Sequence, residues 1–301
     1  MQWKKLGQVF CPDCRHPKLH SHAANPLAVP LGGNLFRILY SGRDEQNRSS
    51  VGFVDIDISQ QKVVYVHPEP VFEHGIHGSF FSHGVSIGNA YVYNNNEFIL
   101  FMGWQICSGE HWRGTIGRLT MLDMKKLVLA EDYPILDIDA EDPVSLSYPW
   151  VIIDQGIFKM WYGSTICWDG GNGEMLHVIK YATSADGVTW QRHGQAIPHE
   201  IGIAQAFSRP SVFIDSEGYH MWYSYRGGRG TKYRIGYAFS GDGRRWETVS
   251  KESGLEVSDS GWDAEMVEYP FVFDHRGKRF MLYNGNDYGR TGFGLAILER
   301  A

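Results

Sequence analysis

Cysteine is scarce, with four residues in a chain of 301. A fold of this length buries roughly three quarters of its unfolded surface and needs no disulfide framework. So few cysteines set a cytoplasmic location as the expectation. Long apolar runs are missing as well. No stretch approaches the ~18 residues of a membrane span, and the opening MQWKKLGQVF has no apolar secretory core. Positive charge is not in excess: 28 Lys and Arg against 34 Asp and Glu leave a net charge of −6. Nothing in that balance draws the chain to nucleic-acid phosphates or to an anionic membrane. Helical periodicity is poor throughout. MLDMKKLVLAED is the best candidate, and it reads equally well as strand and loop. Nucleotide-binding loops find no support, because GRGTKY and GNDYGRTGFG lack a strand–loop–helix setting. No G-x-S-x-G elbow occurs either.

Aromatics and glycine are what the sequence does have: 10 Trp, 16 Tyr and 35 Gly. That mixture suits short strands joined by tight turns, and ring faces also stack on the C–H faces of sugars. A repeat organises them. Each unit has an apolar strand opened in most copies by X-Pro, a turn, an aromatic strand, and a third strand. The copies open NPLAVPLGGNLFRILYSGRD, HGVSIGNAYVYNNNEFILFMGWQ, YPWVIIDQGIFKMWYGS, RPSVFIDSEGYHMWYSYRG and YPFVFDHRGKRFMLYNGN. The anchors Pro26, Gly84, Pro149, Pro210 and Pro270 stand 58, 65, 61 and 60 residues apart. A unit of about 60 residues holds four short strands, the size of one propeller blade. The expectation is therefore an all-β fold: a five-bladed β-propeller with four-stranded blades around a central channel. It forms one domain over residues 1–301, its blades opening near residues 25, 83, 148, 209 and 269. The five-fold period argues against a two-sheet sandwich. The chain ends after the third strand of unit five, so WKKLGQVF is expected to supply the missing outer strand.

In such a fold the first residues of the inner strands converge. The repeat thus predicts that Asn25, His83, Tyr148, Arg209 and Tyr269 meet, with second-strand ends adding Arg43, Asp44, Trp104, Arg226, Asn284 and Asn286. A guanidinium fork binds carboxylate or phosphate, so Arg43, Arg209 and Arg226 suit an acidic sugar, a nucleotide sugar or a phosphate co-substrate. Acids lie upstream of these strands, among them Asp142, Glu265 and Glu268. Strand alternation puts Glu268 and its neighbour Tyr269 on opposite faces. The segment CPDCRHPKLHSH carries Cys11, Cys14, His20 and His22, a possible zinc set or simply free thiols and surface histidines. No cofactor is called for and no metal is assigned.

The segments HAANP, FRILYSGRDEQNRS, SRPSVF, MWYSYRG, YRIGYAFSGDG and WDAEMVEYPFVFDHRGKRFMLYNGNDYGRTGFG carry a resemblance over nearly the whole chain. They resemble the five-bladed propeller glycosidases of the arabinanase, levansucrase and invertase superfamily. The likeness is closer still to bacterial propellers found among polysaccharide genes. It implies a carbohydrate or sugar-conjugate substrate in the axial pocket, bound by His22 with the residues above, and a glycoside hydrolase. Such enzymes set two carboxylates about the scissile bond, one as acid and one as nucleophile or base. The family opens blade one with the Asp of an Asp-Pro pair. Here Asn25-Pro26 stands there, and an amide can be neither nucleophile nor base. The remaining acids, Asp142 of Asp142-Pro143 with Glu265 or Glu268, are then the expected catalytic set. Two alternatives stay open: a sugar-binding propeller without turnover, which Asn25 favours, and a phosphate-dependent glycoside phosphorylase, which needs one acid.

Overall fold

Aromatic and β-branched side chains alternate with turn glycines along the chain, and the result is extended strand almost throughout. The computed structural model describes residues 2–107, 111–123, 125–249 and 254–299. Strand β1 (Gln2–Phe10) comes first. A meander follows of β2 (Ser21–Gly32), β3 (Leu35–Arg43), β4 (Ser49–Asp57) and β5 (Lys62–Val66). The second contains β6 (Gly84–Tyr93), β7 (Asn96–Ile106), β8 (Trp112–Asp123) and β9 (Lys126–Leu129). The third contains β10 (Ser145–Asp154), β11 (Ile157–Cys167), β12 (Leu176–Ser184) and β13 (Gln191–Gln195). The fourth contains β14 (Ala206–Ile214), β15 (Tyr219–Arg226), β16 (Arg234–Ser240) and β17 (Glu247–Val249). The last contains β18 (Glu268–His275), β19 (Lys278–Asn284) and β20 (Phe293–Glu299).

Pairing within each meander is antiparallel, in chain order. A single parallel pair joins the first meander to the second, Ser49 opposite Gly84, and another joins the third to the fourth, His177 opposite Ala206. β1 returns to β20, with Gln2 opposite Glu299 and Phe10 opposite Phe293, and so provides the fourth strand of the last group. Trp3 and Phe10 of β1 are buried; Trp3 meets Trp222 edge to face at 5.6 Å and Phe10 packs on Tyr40 and Phe293.

The S-x-D-G turns close by side-chain chemistry. Asp186 Oδ1 accepts the backbone N–H groups of Val188 and Thr189, and Asp242 Oδ1 those of Arg244 and Arg245. Gly187 and Gly243 take positive φ, 75° and 74°, where glycine carries no steric cost. The carbonyl of Gly243 then accepts the indole N–H of both Trp161 and Trp246.

Every meander's first strand carries a β-bulge near its start. In four of them an X-Pro pair lies opposite one tyrosine: 25–26 across from Tyr40, 148–149 from Tyr162, 209–210 from Tyr223, 269–270 from Tyr283. The ladder is interrupted there, so proline's missing N–H is not needed. The residue before each proline is left-handed: Asn25 at φ 55°, Tyr148 at 44°, Arg209 at 39° and Tyr269 at 53°. In the second meander the bulge falls between Ile87 and Ala90, at Gly88–Asn89 opposite Leu100. This corrects the expected anchor at His83–Gly84 by five residues, and the intervals become 63, 60, 61 and 60. Gly88 is required there, because an added Cβ would stand 2.3 Å from the Pro149 carbonyl oxygen.

Removing residues 1–10 should lower the melting temperature by about 10 °C or more, since loss of two buried aromatics costs about 3 kcal/mol each and a chain of this size loses roughly 2–4 °C per kcal/mol. An unchanged melting curve would show that β1 is dispensable.

Candidate active site

In an antiparallel meander the start of the first strand lies beside the end of the second and the start of the third. Bulges, second-strand ends and third-strand starts therefore share one face. The bulge residues come together there. The hydroxyls of Tyr148 and Tyr269 are 3.1 Å apart. Arg209 reaches from the fourth meander to the first, donating to the Pro26 carbonyl at 2.7 Å, and comes within 3.4 Å of the Gly88 carbonyl of the second. Asn25 N donates to Asn284 Oδ1 at 3.0 Å. Arg209 is fully buried, and its Nε and Nη1 have no protein partner. Burial lowers its pKa to about 9, with the phenols of Tyr269 and Tyr148 acting the other way, so it remains a cation at neutral pH.

Glu268 precedes the last bulge. It is fully buried, and neither carboxyl oxygen has a hydrogen-bond partner among the described residues. Burial pushes the carboxyl well above its ordinary 4.5; Arg226 and Arg43 oppose the rise and Asp287 adds to it. The bulge defeats the alternation expected of Glu268 and Tyr269. Two residues there face one, both side chains are buried at the centre, and the charge of Glu268 raises the Tyr269 phenol further. Tyr148 is itself pushed up to about 12, chiefly by burial.

A second carboxylate stands nearby. Arg226, at the end of β15, donates Nη2 to Glu174 Oε1 at 2.8 Å and Nη1 to the Tyr288 hydroxyl at 2.9 Å. Its guanidinium lies 4.8 Å from the ring centre of Tyr233. Glu174 Oε1 also accepts Met175 N–H, which leaves Oε2 without a hydrogen bond among the described residues. Arg226 thus pairs with one carboxylate and is the strongest charged neighbour of the other. Asp287 and Tyr288, beyond β19, are consecutive left-handed residues at φ 56° and 58°. Backbone strain of this kind clusters at working sites. His22, also left-handed at φ 61°, is lowered to about 4 by burial and by Arg43 and Arg290. Beneath Arg226, His177 is held between the hydroxyls of Ser147 and Thr165, and burial takes it down to about 3.

Other expected residues lie elsewhere or are already engaged. Asp142 has no solvent exposure. It pairs with Lys180 and Arg192 at 2.7 Å each, and it accepts Tyr162 OH at 2.8 Å and Ser164 Oγ at 2.5 Å. Burial works against its charge, but the bonds from Lys180, Ser164 and Tyr162 hold it below the usual range. Asp263 repeats the device: it accepts the hydroxyl of Tyr283 and pairs with Lys5. Each acid stands 20 residues before the tyrosine opposite its meander's bulge. Asp142 thus braces the third meander, with both of its oxygens engaged. Glu265 is largely exposed and lies 3.8 Å from Lys232. Asn284 spends its amide on Asn25 N, Ala23 O and Gly292 O, which fastens the last meander to the first. Asn286 caps Glu265 and Met266 N–H groups, and Asp44 holds the turn 44–48 and Arg48. His83 and Trp104 sit at the junction of the first two meanders, Trp104 donating to Ser49 Oγ and His83 Nδ1 accepting Ile106 N–H. Cys11 and Cys14 are exposed. The described residues contain one compact set of potential metal ligands, Asp215, Glu217 and His220, and it includes none of Cys11, Cys14, His20 and His22.

Glu174 and Tyr233 escaped the sequence reading because they stand just before third strands, a position the repeat equates with second-strand ends. The loop GGNGE was the available signal.

The protein superposes on glycoside hydrolase propeller proteins. One is described as a complex of BT0996 with RGII, with TM-score 0.78, 16% identity, 98% of this protein and 91% of that one. Another is an endo-arabinase from Bacteroides thetaiotaomicron, with TM-score 0.67, 12% identity, 95% of this protein and 97% of that one. A third is the Bombyx mori GH32 β-fructofuranosidase BmSUC1, with TM-score 0.67, 13% identity, 95% of this protein and 62% of that one. At these identities the likeness is one of fold. No family model matches. In sequence the protein is 43% identical to the Mycobacterium tuberculosis proteins MT1551 and Rv1502, which are described as uncharacterized, over 99% of its own length and 100% of theirs. It belongs to the same family as those two proteins.

Glu268 sets a pH test. Its folded pKa lies above the ordinary 4.5, so the unfolded chain gives up this proton first as pH rises. The native state's advantage is complete below 4.5 and shrinks as pH rises toward the folded value. Glu268→Gln should therefore melt like the parent at pH 4 and above it at pH 7; equal melting at both values would contradict a buried neutral acid. Asp142→Asn should cost about 3–5 kcal/mol in denaturant unfolding, as broken buried ion pairs do. A cost near zero would refute the bracing role.

Proposed function

We propose that the five meanders are the blades of one five-bladed propeller spanning residues 1–301, and that the protein is a glycoside hydrolase acting on a bacterial glycan or sugar conjugate at the face just described. The observation that carries this reading is Glu268: a buried carboxyl with both oxygens unpartnered and a raised proton affinity. That is the state a general acid requires at neutral pH. Glu174 is the second carboxylate. It pairs with Arg226 through Oε1, and its Oε2 is free to stabilise an oxocarbenium-like transition state, as nucleophile or as base toward water. Glu268 gives its proton to the leaving oxygen while Glu174 acts on the anomeric carbon or its water. His22, Arg43, Tyr148, Arg209, Arg226 and Tyr269 frame the sugar. Trp112 and Trp168 add aromatic faces near His177, their rings 5.1 Å apart.

The glycosidase likeness supports this choice of chemistry, and the RGII named with BT0996 supplies a first glycan to try. Asn25, in the place of the aspartate of related glycosidases, favours a second reading in which sugar is bound without turnover. A panel of p-nitrophenyl glycosides and RGII oligosaccharides should separate the two. Turnover is expected, with Glu268→Gln and Glu174→Gln each lowering kcat about 10²- to 10⁴-fold while binding persists. Saturable binding with no product from any substrate would favour the sugar-binding reading. Full turnover in Glu268→Gln would remove Glu268 from the reaction, and turnover that requires added phosphate would make it a phosphorolysis.

A further inference from the structure

Arg43 ends β3, opposite Ser21 and one residue diagonal from His22. It is half-buried, yet no hydrogen bond or ion pair reaches its guanidinium from the described residues. Arg290 is likewise without a side-chain partner among the described residues but is exposed, and the other neighbouring cations are engaged. Arg226 is taken by Glu174 and Tyr288, Arg209 by backbone carbonyls, and Arg48 by Asp44. Arg43 has given up part of its hydration without gaining a partner, a costly arrangement unless something else binds there.

Its position says what that is. The charge of Arg43 is felt by Glu268 and Tyr148 on one side and by His22 on the other. A cavity of about 440 Å³ lies on its His22 side, lined by Ser21, His22, Asn47 and Arg290 together with Asp44 and Glu45; Arg43 and Glu268 are not among its lining residues. Asp44 is already neutralised, since its oxygens accept the N–H groups of Gln46 and Arg48 and the Arg48 side chain. An unpaired guanidinium fork is shaped for a planar anion, and a carboxylate meets it in two parallel hydrogen bonds.

We infer that Arg43 receives the acidic group of the substrate, so that the site between His22 and Glu268 takes a carboxylate-bearing sugar, a uronic acid or its equivalent. This inference rests on the glycoside-cleaving reading and narrows its substrate class.

Binding tests it without turnover. Full-length protein, Arg43→Gln and Arg43→Lys are titrated with methyl glucuronides and galacturonides, with the matching neutral methyl glucosides and galactosides, and with inorganic phosphate alone. The uronides should bind roughly 10- to 100-fold more tightly than their neutral counterparts, the range of a charge-assisted pair. Arg43→Gln should erase that preference at an unchanged melting temperature, and Arg43→Lys should keep part of it because the charge remains and the fork is lost. Should Arg43→Gln fail to fold, the lysine variant carries the test, and a preference it leaves intact overturns the assignment. Equal affinity for neutral and acidic sugars overturns the inference while leaving a sugar site standing. Saturation by phosphate with no uronide binding overturns it in favour of a free phosphate. Absence of binding by every sugar removes the inference and the glycosidase reading together.

Discussion

A left-handed residue near the head of the first strand in four of the five meanders is the constraint on which the candidate site depends. Such a conformation is unfavourable for any side chain with a Cβ, and a following proline restricts the residue further. Each instance costs of order 1–3 kcal/mol, so it persists only where the surroundings over-determine it. Those surroundings are visible. Asn25 N donates to Asn284 Oδ1 from the last meander, Tyr269 N to Ser224 Oγ from the fourth, and the Arg209 side chain ties two further strands. Each bulge turns its side chain toward the centre, and a bond from another meander holds it there.

Because the side chains gathered in this way are drawn from strand starts, they are shielded from water on nearly every side. Electrostatic differences become large in such a place. Glu174 is bonded to Arg226, while burial raises the proton affinity of Glu268. Two carboxylates near one arginine thus meet different surroundings, one bonded to the guanidinium and the other without a hydrogen bond among the described residues. Arg209 adds a cation that Glu268 in its neutral form does not offset.

The repeat was legible in the sequence because turn glycines, X-Pro pairs and aromatic strands recur with it. The second unit misled because its bulge uses Gly88–Asn89. Asn89 bonds with both its amide atoms to the backbone of Val151 in the next meander, a role that leaves no proline for the eye to find. His83–Gly84 was the nearest imitation. Glu268 could be named from sequence, but its facing could not, since alternation holds only for a regular strand. Asp142 attracted notice through Asp142-Pro143. Its bracing contacts follow a different spacing, the 20 residues to Tyr162 that Asp263 repeats to Tyr283. Glu174 carries no local signature, because its importance comes from Arg226, 52 residues away.

Strand β1 has a consequence for how the protein is made. Of the strands described, it is the first to leave the ribosome, and its hydrogen-bonding edge lies on β20, the last of them to be synthesised. Until β20 emerges, β1 has no strand to pair with, even though Tyr40 and Trp222, on which Phe10 and Trp3 pack, are made earlier. Contacts of such extreme sequence separation slow acquisition of the native state. Closure of the sheet must therefore come late in assembly, when the oldest strand docks against the youngest.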